Sequence, residues 1–331
     1  MWHNSGMDTP EKHTVEKRGQ MLGPGTISKT LRPYIVALRS RIPDRWMRDY
    51  VYGPLSGQAR RRYRDLWPFA LPATVSIETR TICNGRCAFC AVSVDNHARE
   101  DRAMPWAVFA RLIEELTAVH YAGRVAFFVN NEPLLDKGLE EKIAYARERL
   151  PLAFFQVSTN GIILTPERAN SLFDAGLDDL TVNDYLDNRP VRGNIEETFR
   201  SLSPERRRRF IVYLREREVQ LFNRAGSAPN RGALDRPMRA FCQMPFSQIN
   251  IVHDGTVSLC CQDVLVQVPI GNAYESGIWN VWFSERYREI RRRLMAKDRG
   301  CTELCRACDY RGFKALYGVW WPLNRLFRVL K

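Results

Sequence analysis

The sequence contains no run of apolar residues long enough for a membrane-spanning helix, which needs about 18 of them. Its first residues, Met1 to Gly6, also lack the apolar core of a secretory signal peptide. We therefore expect a cytoplasmic protein in a reducing environment. In such a compartment, clustered cysteines bind metal rather than form disulfides.

Isolated cysteines are absent as well. The nine cysteines form three groups, which are Cys83, Cys87 and Cys90; Cys242, Cys260 and Cys261; and Cys301, Cys305 and Cys308. No thiol is left over to serve as an ordinary apolar core residue. This grouping predicts metal or cluster binding.

Acidic residues are few relative to basic ones, with 37 Asp and Glu against 50 Lys and Arg, a net charge of +13. The excess indicates either an acidic partner or a solvated basic surface. The sequence lacks a nucleic-acid-binding motif. The basic run Arg206 to Arg209 directly precedes a predicted strand, and we expect it to form a solvated surface. We expect no nucleic-acid partner. Contact of the basic and aromatic termini with the inner membrane face is the alternative.

The first cysteine group has the spacing Cys-x3-Cys-x2-Cys and follows a predicted strand, Thr74 to Glu78. Thiolates are soft ligands that select zinc, copper(I) or iron–sulfur clusters. Structural zinc takes four ligands, usually in paired Cys-x2-4-Cys knuckles. Three clustered thiols without a nearby fourth suit a [4Fe–4S] cluster with one iron open to an outside ligand.

This motif, with Phe89 directly before the last cysteine, resembles that of the radical S-adenosylmethionine (SAM) superfamily, in which SAM chelates the open iron. Two further segments follow predicted strands. Asn130-Asn131-Glu132-Pro133 is similar to the family's Gly-Gly-Glu-Pro, which contacts the SAM amino group. Ser158 to Gly161 resembles the segment that contacts the SAM ribose and carboxylate. The resemblance implies these cofactor-binding residues: Phe89, Glu132, Ser158, Asn160 and Asn183, the last from a cofactor-side or substrate-side segment.

The remaining cysteines resemble a SPASM/twitch auxiliary-cluster domain, through Cys242-x12-Gly255-x4-Cys260 and then Cys305-x2-Cys308. Full SPASM domains carry seven cysteines, and this region has six. The resemblance implies one auxiliary [4Fe–4S] cluster on Cys242, Cys260, Cys305 and Cys308, with Cys261 and Cys301 spare or able to substitute. A structural zinc ribbon is the alternative.

Strands and helices alternate from residue 73 onward, which predicts an α/β fold with a parallel sheet. Predicted strands cover residues 74–78, 124–129, 153–157, 179–182, 210–214 and 219–222, and predicted helices cover 105–120, 137–150, 166–175 and 278–295. A β-hairpin is predicted around Asp254-Gly255. The alternation alone also permits a doubly wound sheet; the resemblance implies a partial (β/α)6 TIM-like barrel, followed by a small C-terminal β-hairpin plus helix cluster-binding domain.

We expect five segments along the chain. They are a basic, partly disordered helical extension (1–72), the barrel (73–226), a linker (227–240), the auxiliary-cluster domain (241–310) and an aromatic and basic tail helix (311–331).

The resemblance implies an enzyme that cleaves SAM reductively to a 5′-deoxyadenosyl radical for hydrogen abstraction, with an electron donor such as flavodoxin or ferredoxin. The expected reaction is oxidation or epimerisation of a small polar, sugar-like or aminocyclitol-like substrate. Candidates for handling the proton are Asp184, Tyr185 and Arg215, near predicted strand ends. Two alternatives stay open: a maturase acting on a peptide or protein, and a non-catalytic iron–sulfur or nucleic-acid-binding protein.

Overall fold

The computed structural model describes residues 71–93, 99–185, 190–215 and 222–311. The predicted tail helix, nearly all of the N-terminal extension and most of the predicted strand 219–222 lie outside these residues. Among the described residues, no helix is both long and apolar enough to cross a membrane.

Eight strands form a single sheet in the order β5-β4-β3-β2-β1-β6-β7-β8. Neighbouring strands from β5 to β6 are parallel, and β6, β7 and β8 pair antiparallel. The strands are β1 Thr74–Ile77, β2 Arg124–Ala126, β3 Phe154–Thr159, β4 Asp179–Tyr185, β5 Phe210–Arg215, β6 Gln248–Ile251, β7 Thr256–Ser258 and β8 Pro269–Asn272. The parallel part is the predicted partial barrel.

Ten α-helices are described, five of them no longer than five residues. They are α1 Trp106–Ala118, α2 Leu139–Arg149, α3 Pro166–Asp174, α4 Gly193–Ser201, α5 Pro204–Arg207, α6 Met244–Ser247, α7 Ala273–Ser276, α8 Ile278–Trp282, α9 Glu285–Met295 and α10 Glu303–Ala307. The predicted helix 278–295 is two helices. Ser284 has an extended backbone, and its hydroxyl accepts a hydrogen bond from the Tyr287 amide, which starts α9 with an N-cap.

The predicted hairpin around Gly255 joins β6 to β7 and also extends the barrel sheet. Ile251 pairs with Val257 across the hairpin and with Ile77 of β1. Gly255 has φ +88°, and a Cβ there would lie 2.7 Å from the Asn272 side-chain oxygen. Only glycine fits this turn without strain. The cysteine-bearing C-terminal unit is therefore hydrogen-bonded directly to the strand that leads into the first cysteine loop.

The parallel strands are apolar on one face and mostly polar on the other. The apolar face includes Val75, Val125, Phe155, Val157, Leu180, Val212 and Ile249, which are buried in one core with α1 to α4. The opposite face carries Thr74, Ser76, Arg124, Gln156, Ser158, Thr181, Asn183, Arg215, Gln248 and Asn250. Side chains alternate along a strand, so the sequence pattern sets the faces. Since the helices cover the apolar face, the polar face lines the barrel interior.

The arginine run before β5 packs onto the helical layer. Arg206 bonds to Asn170 and Asp174, Arg207 donates to the Phe199 carbonyl, and Arg209 pairs with Glu205. The expected solvated face is found at Arg208, which is exposed, whereas the other three arginines of the run are half-buried and paired within the protein.

We predict that Phe155→Ala and Ser158→Ala in β3 have very different effects on stability. Phe155 is fully buried in the helix-covered core, and its truncation should cost about 3–5 kcal/mol, lowering the melting temperature by roughly 6 to 20 °C. Ser158 loses one hydrogen bond with Asn183, worth about 0.5–1.5 kcal/mol. Thermal unfolding of the iron-free protein measures both. Equal shifts would contradict the assignment of the two faces.

Candidate active site and cluster-binding residues

The predicted motifs meet at the carboxyl edge of the parallel strands. The first cysteine loop follows β1, the segment Asn130 to Leu135 follows β2, and Asn160 follows β3. Tyr185 ends β4 and Arg215 ends β5. Loops at this edge form the active sites of β/α barrels. The fold thus brings together residues that are up to about 130 positions apart in the chain.

The first cysteine loop bends around Gly85. The Gly85 amide donates to the Cys83 sulfur at 3.3 Å, and the Cys90 amide donates to the Cys87 carbonyl at 3.1 Å. A Cβ on Gly85 would lie 3.4 Å from the Cys83 sulfur and 3.8 Å from the Cys87 sulfur. Two thiols therefore face one small space that a larger residue would fill.

The donor chemistry of this loop fits an iron–sulfur cluster. Within the described residues, no three His, Cys, Asp or Glu side chains converge as they would on one metal ion. A [4Fe–4S] cluster takes one thiolate per iron, so its ligands surround a group of atoms. Burial raises the pKa of Cys83 to about 11, so this thiol keeps its proton until a metal displaces it.

Asn160 joins the cysteine loop to the end of β3. Its side-chain amide donates to the Asn84 side-chain oxygen at 2.8 Å and to the Cys83 sulfur at 3.6 Å. Its own side-chain oxygen accepts from the Ile162 amide at 2.9 Å. Because the Ile162 amide holds the side-chain oxygen, the side-chain nitrogen of Asn160 is the end that faces the Cys83 sulfur. Asn160 was predicted to bind the cofactor, and the structure places it beside a cluster-loop thiol.

Glu132 is buried between the β2 loop and β3. One carboxylate oxygen accepts from the Thr159 hydroxyl at 2.6 Å and the Leu134 amide at 3.0 Å, and the other accepts from the Asn160 amide at 2.7 Å. Burial raises the pKa of Glu132, and these hydrogen bonds oppose the shift. The carboxylate keeps further acceptor capacity. The loop also contains the side-chain nitrogen of Asn131, which is buried and has no hydrogen-bond partner among the described residues. This nitrogen can donate to a ligand.

A buried ion pair behind these loops was missed by sequence analysis. Glu78 follows β1, is fully buried and pairs through both carboxylate oxygens with the Arg99 guanidinium. Glu78 also accepts from the Asn130 amide at 3.2 Å, and the Glu132 amide donates to the Ile82 carbonyl at 2.9 Å. These contacts tie the cysteine loop to the β2 loop.

Two of the three predicted proton-handling residues face the barrel interior. Arg215 donates to the Asn183 side-chain oxygen at 2.8 Å, and Asn183 donates to the Ser158 hydroxyl at 2.9 Å, so a hydrogen-bonded row crosses β5, β4 and β3. The Tyr185 ring lies 5.4 Å from that of the buried Phe89. Burial raises the pKa of Tyr185 to about 12, which keeps the phenol protonated. These side chains can donate to substrate oxygens.

Asp184 points the opposite way, because adjacent residues of a strand face opposite sides of the sheet. It is fully buried, accepts from the Arg192 amide at 3.0 Å and pairs with the Arg192 guanidinium at 2.9 Å. Its carboxylate is held by the residue that precedes α4. A role for Asp184 in proton handling remains a prediction. In the structure its carboxylate forms a buried ion pair with Arg192.

Four C-terminal cysteines line one cavity. Cys242 precedes α6, Cys260 follows β7, Cys305 lies in α10 and Cys308 ends that helix. Their cavity is also lined by Ala225, Met244, Pro245, Leu259, Gln262, Arg299, Leu304 and Tyr310. All four thiols are buried, and burial raises the pKa of Cys308 to about 12. Four thiols around a mostly apolar cavity fit a cluster ligated entirely by protein.

The two spare cysteines do not line this cavity. Cys301 lies next to Cys305, and the hydrogen bond between the two thiols lowers the pKa of Cys301. Cys261 is half-buried and accepts from the Gln262 side-chain amide at 3.7 Å. The predicted ligand set thus lines the cavity, and the two additional thiols lie directly beside its members Cys260 and Cys305.

A small apolar cluster connects the two cysteine sites. Val264, four residues after Cys260, packs with Ala91 and Val92 against Cys83 and Cys90. The C-terminal unit therefore contacts the first cysteine loop through side chains as well as through the sheet.

Comparison with protein-family models agrees with this geometry. Residues 77–223 match the radical SAM superfamily, and residues 242–309 match SPASM, an iron–sulfur cluster-binding domain. The chain belongs to the radical SAM superfamily. It is a radical SAM enzyme with a SPASM domain, and the two families imply SAM, a [4Fe–4S] cluster and auxiliary iron–sulfur binding.

Characterised relatives of this radical SAM protein include a dehydrogenase. The S-adenosyl-L-methionine-dependent 2-deoxy-scyllo-inosamine dehydrogenase of Niallia circulans is 26% identical over 71% of this chain and 92% of its own. The crystal structure of BtrN in complex with AdoMet and 2-DOIA matches with 25% identity and a TM-score of 0.66, over 75% of this chain and 98% of that one. BtrN in an open conformation matches with 20% identity and a TM-score of 0.55, over 75% and 100%.

Sequence analysis missed three charged residues beside the two cysteine sites. Glu78, Arg99 and Arg299 belong to none of the recognised motifs, and their partners become apparent only from tertiary contacts. Glu78 could have been identified as a polar residue at the end of a predicted apolar strand. No feature of the sequence marks Arg99 or Arg299.

We predict that Arg99→Ala selectively weakens the first cysteine site. The substitution leaves Glu78 buried without its partner, which costs about 3–5 kcal/mol, and frees the loop that the pair anchors. Iron content after anaerobic reconstitution should fall from about eight toward about four per chain. Arg102→Ala is the matched control, because exposed Arg102 pairs with exposed Glu100. Full iron content in Arg99→Ala would contradict the anchoring role.

We also predict that two double cysteine variants differ in iron content. Cys242→Ala with Cys305→Ala removes two cavity thiols and should lower the content from about eight to about four irons. Cys261→Ala with Cys301→Ala removes the same number of thiols outside the cavity and should retain about eight. Iron and sulfide analysis measures both variants. Loss of iron in the second variant would show that the spare cysteines are ligands.

Proposed function

We propose that this enzyme is a radical SAM dehydrogenase that oxidises a hydroxyl group of a small polar, aminocyclitol-like or sugar-like substrate to a carbonyl. The observation that carries the proposal is the cavity lined by four buried thiols, in a C-terminal unit whose Val264 packs against the first cysteine loop. A second cluster at this place gives a substrate radical a nearby acceptor for one electron. The 2-deoxy-scyllo-inosamine dehydrogenase relative supports both the reaction and the substrate class.

In this proposal the two halves of the chain hold different cofactors. Residues 73–226 form the barrel, with Cys83, Cys87 and Cys90 as ligands of the first cluster. Residues 241–310 follow a linker at 227–240 and hold the auxiliary cluster on Cys242, Cys260, Cys305 and Cys308. SAM bound to the reduced first cluster would supply the radical chemistry that takes a hydrogen atom from the substrate.

In this proposal, the residues of the barrel bind and orient SAM and the substrate. The Glu132 carboxylate would hold the SAM ammonium, because a buried charge is stabilised by an opposite one, and Asn131 and Asn160 would offer side-chain amide donors nearby. Phe89 packs against Tyr185 and shields the loop from water. Ser158, Asn183 and Arg215 present a polar row to a substrate that carries hydroxyl groups. Tyr185 and Arg215 lie at the strand ends, where they can hold the substrate hydroxyl that loses its proton.

Product analysis tests this function. The enzyme is incubated anaerobically with SAM, a low-potential electron donor and a panel of aminocyclitols and sugars. We expect 5′-deoxyadenosine release together with a product two hydrogens lighter than the substrate. The Cys83/Cys87/Cys90→Ala variant should form neither. The Cys242→Ala/Cys305→Ala variant should form 5′-deoxyadenosine at a reduced rate and no carbonyl product, because the electron acceptor is missing.

Three outcomes would replace the proposal. A product with the same elemental composition as the substrate in ordinary water, which gains one carbon-bound deuterium when the reaction is run in D2O, would indicate an epimerase. Turnover of peptides alone would indicate a maturase. Absence of SAM cleavage together with salt-sensitive RNA binding would indicate a non-catalytic protein.

A further inference from the structure

One buried arginine shares the cavity of the four C-terminal thiols. Arg299 is 2% exposed and lies in the turn between α9 and α10. Its guanidinium donates to the Ala240 carbonyl at 3.0 Å and to the Tyr310 carbonyl at 3.0 Å. Ala240 is two residues before Cys242, and Tyr310 is two residues after Cys308. Arg299 therefore bridges the two chain segments that bring the outermost ligands to the cavity.

The charge of Arg299 has no carboxylate partner in the described part of the chain. Both of its hydrogen-bond acceptors are neutral carbonyl oxygens, and the neighbouring Asp298 pairs with Arg293 instead. None of the described residues that line the cavity is acidic. A buried cation is costly unless an anion compensates it. The groups that face Arg299 are the four thiols, which become thiolates when they bind metal.

A second buried arginine provides a comparison. Arg291 is fully buried, donates to the Pro245 carbonyl at 2.8 Å and the Trp282 carbonyl at 2.6 Å, and stacks 3.9 Å from the Trp282 and Tyr287 rings. It does not line the cavity. Arg291 resembles Arg299 in burial and in its carbonyl partners, and differs in its relation to the thiols.

We propose that Arg299 is the counter-charge of the auxiliary cluster and raises its reduction potential, so that the cluster accepts an electron from the substrate radical. A nearby positive charge stabilises the more negative, reduced form of a cluster, and net charge and hydrogen bonding set such potentials. The inference rests on the proposed function. In the reaction, the substrate radical left by hydrogen abstraction loses one electron to the cluster and its hydroxyl proton to solvent, and a carbonyl forms.

The test measures the potential of the auxiliary cluster in the full chain. The Cys83/Cys87/Cys90→Ala background leaves one cluster, whose one-electron midpoint potential is determined by spectroelectrochemical titration after reconstitution. In this background, R299Q should lower the potential by at least 59 mV, a tenfold change in the one-electron equilibrium. R299K keeps the charge and should stay closer to the unsubstituted background. R291Q, the matched control, should shift the potential by less than half as much as R299Q.

Each outcome decides between the alternatives. An unchanged potential in R299Q with about four irons would overturn the inference and leave the proposed function intact. If R299Q loses the cluster while R299K retains it, the charge is required for the cluster to bind, which supports the inference. If both lose it, the guanidinium hydrogen bonds hold the segments and the electrostatic role is wrong. A background protein without iron would overturn the inference together with the auxiliary cluster itself.

Discussion

The alternation of side chains along six parallel strands is the constraint on which the site depends. Each strand must bury an apolar row under the helices, so its other row is directed into the barrel. In this chain the second row is polar, from Thr74 on β1 to Asn250 on β6. A partial barrel with such an interior has room for polar ligands instead of a packed core. The same constraint separates Asn183 and Tyr185, which face inward, from Asp184, which is buried behind the sheet.

Buried charges fix the positions of the loops that follow β1 and β2 at the carboxyl edge of the sheet. Glu78 holds Arg99 and the Asn130 amide, and Glu132 holds the end of β3. Each carboxylate is satisfied by donors from a different chain segment, so neither loop can move far without leaving a buried charge unpaired. This cost makes the loops well defined before a cofactor binds. Preorganised geometry of this kind is what positions reactive groups in enzymes.

The sequence was informative wherever chemistry is local. Cysteine spacing, the segment around Glu132 and the Asp-Gly turn were each recognisable because a few adjacent residues carry the signal. The break before α9 was not foreseen, since apolar residues on both sides of Ser284 keep helical spacing while one capping hydroxyl divides the helix. Helix α4 was also missed, although Ile195 and Phe199 are spaced as one buried helical face. The partners of Glu78 and Arg299 depend on tertiary contacts between separate segments, which no local pattern encodes. The partner of Asp184 is only eight residues away, across the loop between β4 and α4, and no motif marks it.

The two cysteine sites differ in the sign of their buried neighbours, and this difference suits the proposed reaction. Glu132 lies near Cys83 in the first site, where its negative charge would disfavour an additional electron on a cluster until an ammonium group pairs with it. Arg299 lies beside the thiols of the second site, where its positive charge favours one. Reductive cleavage of SAM needs a strongly reducing donor, whereas oxidation of a substrate radical needs an acceptor. In the proposed reaction, two clusters of the same type would take opposite parts in one turnover, because an anionic side chain lies near one set of thiols and a cationic side chain near the other.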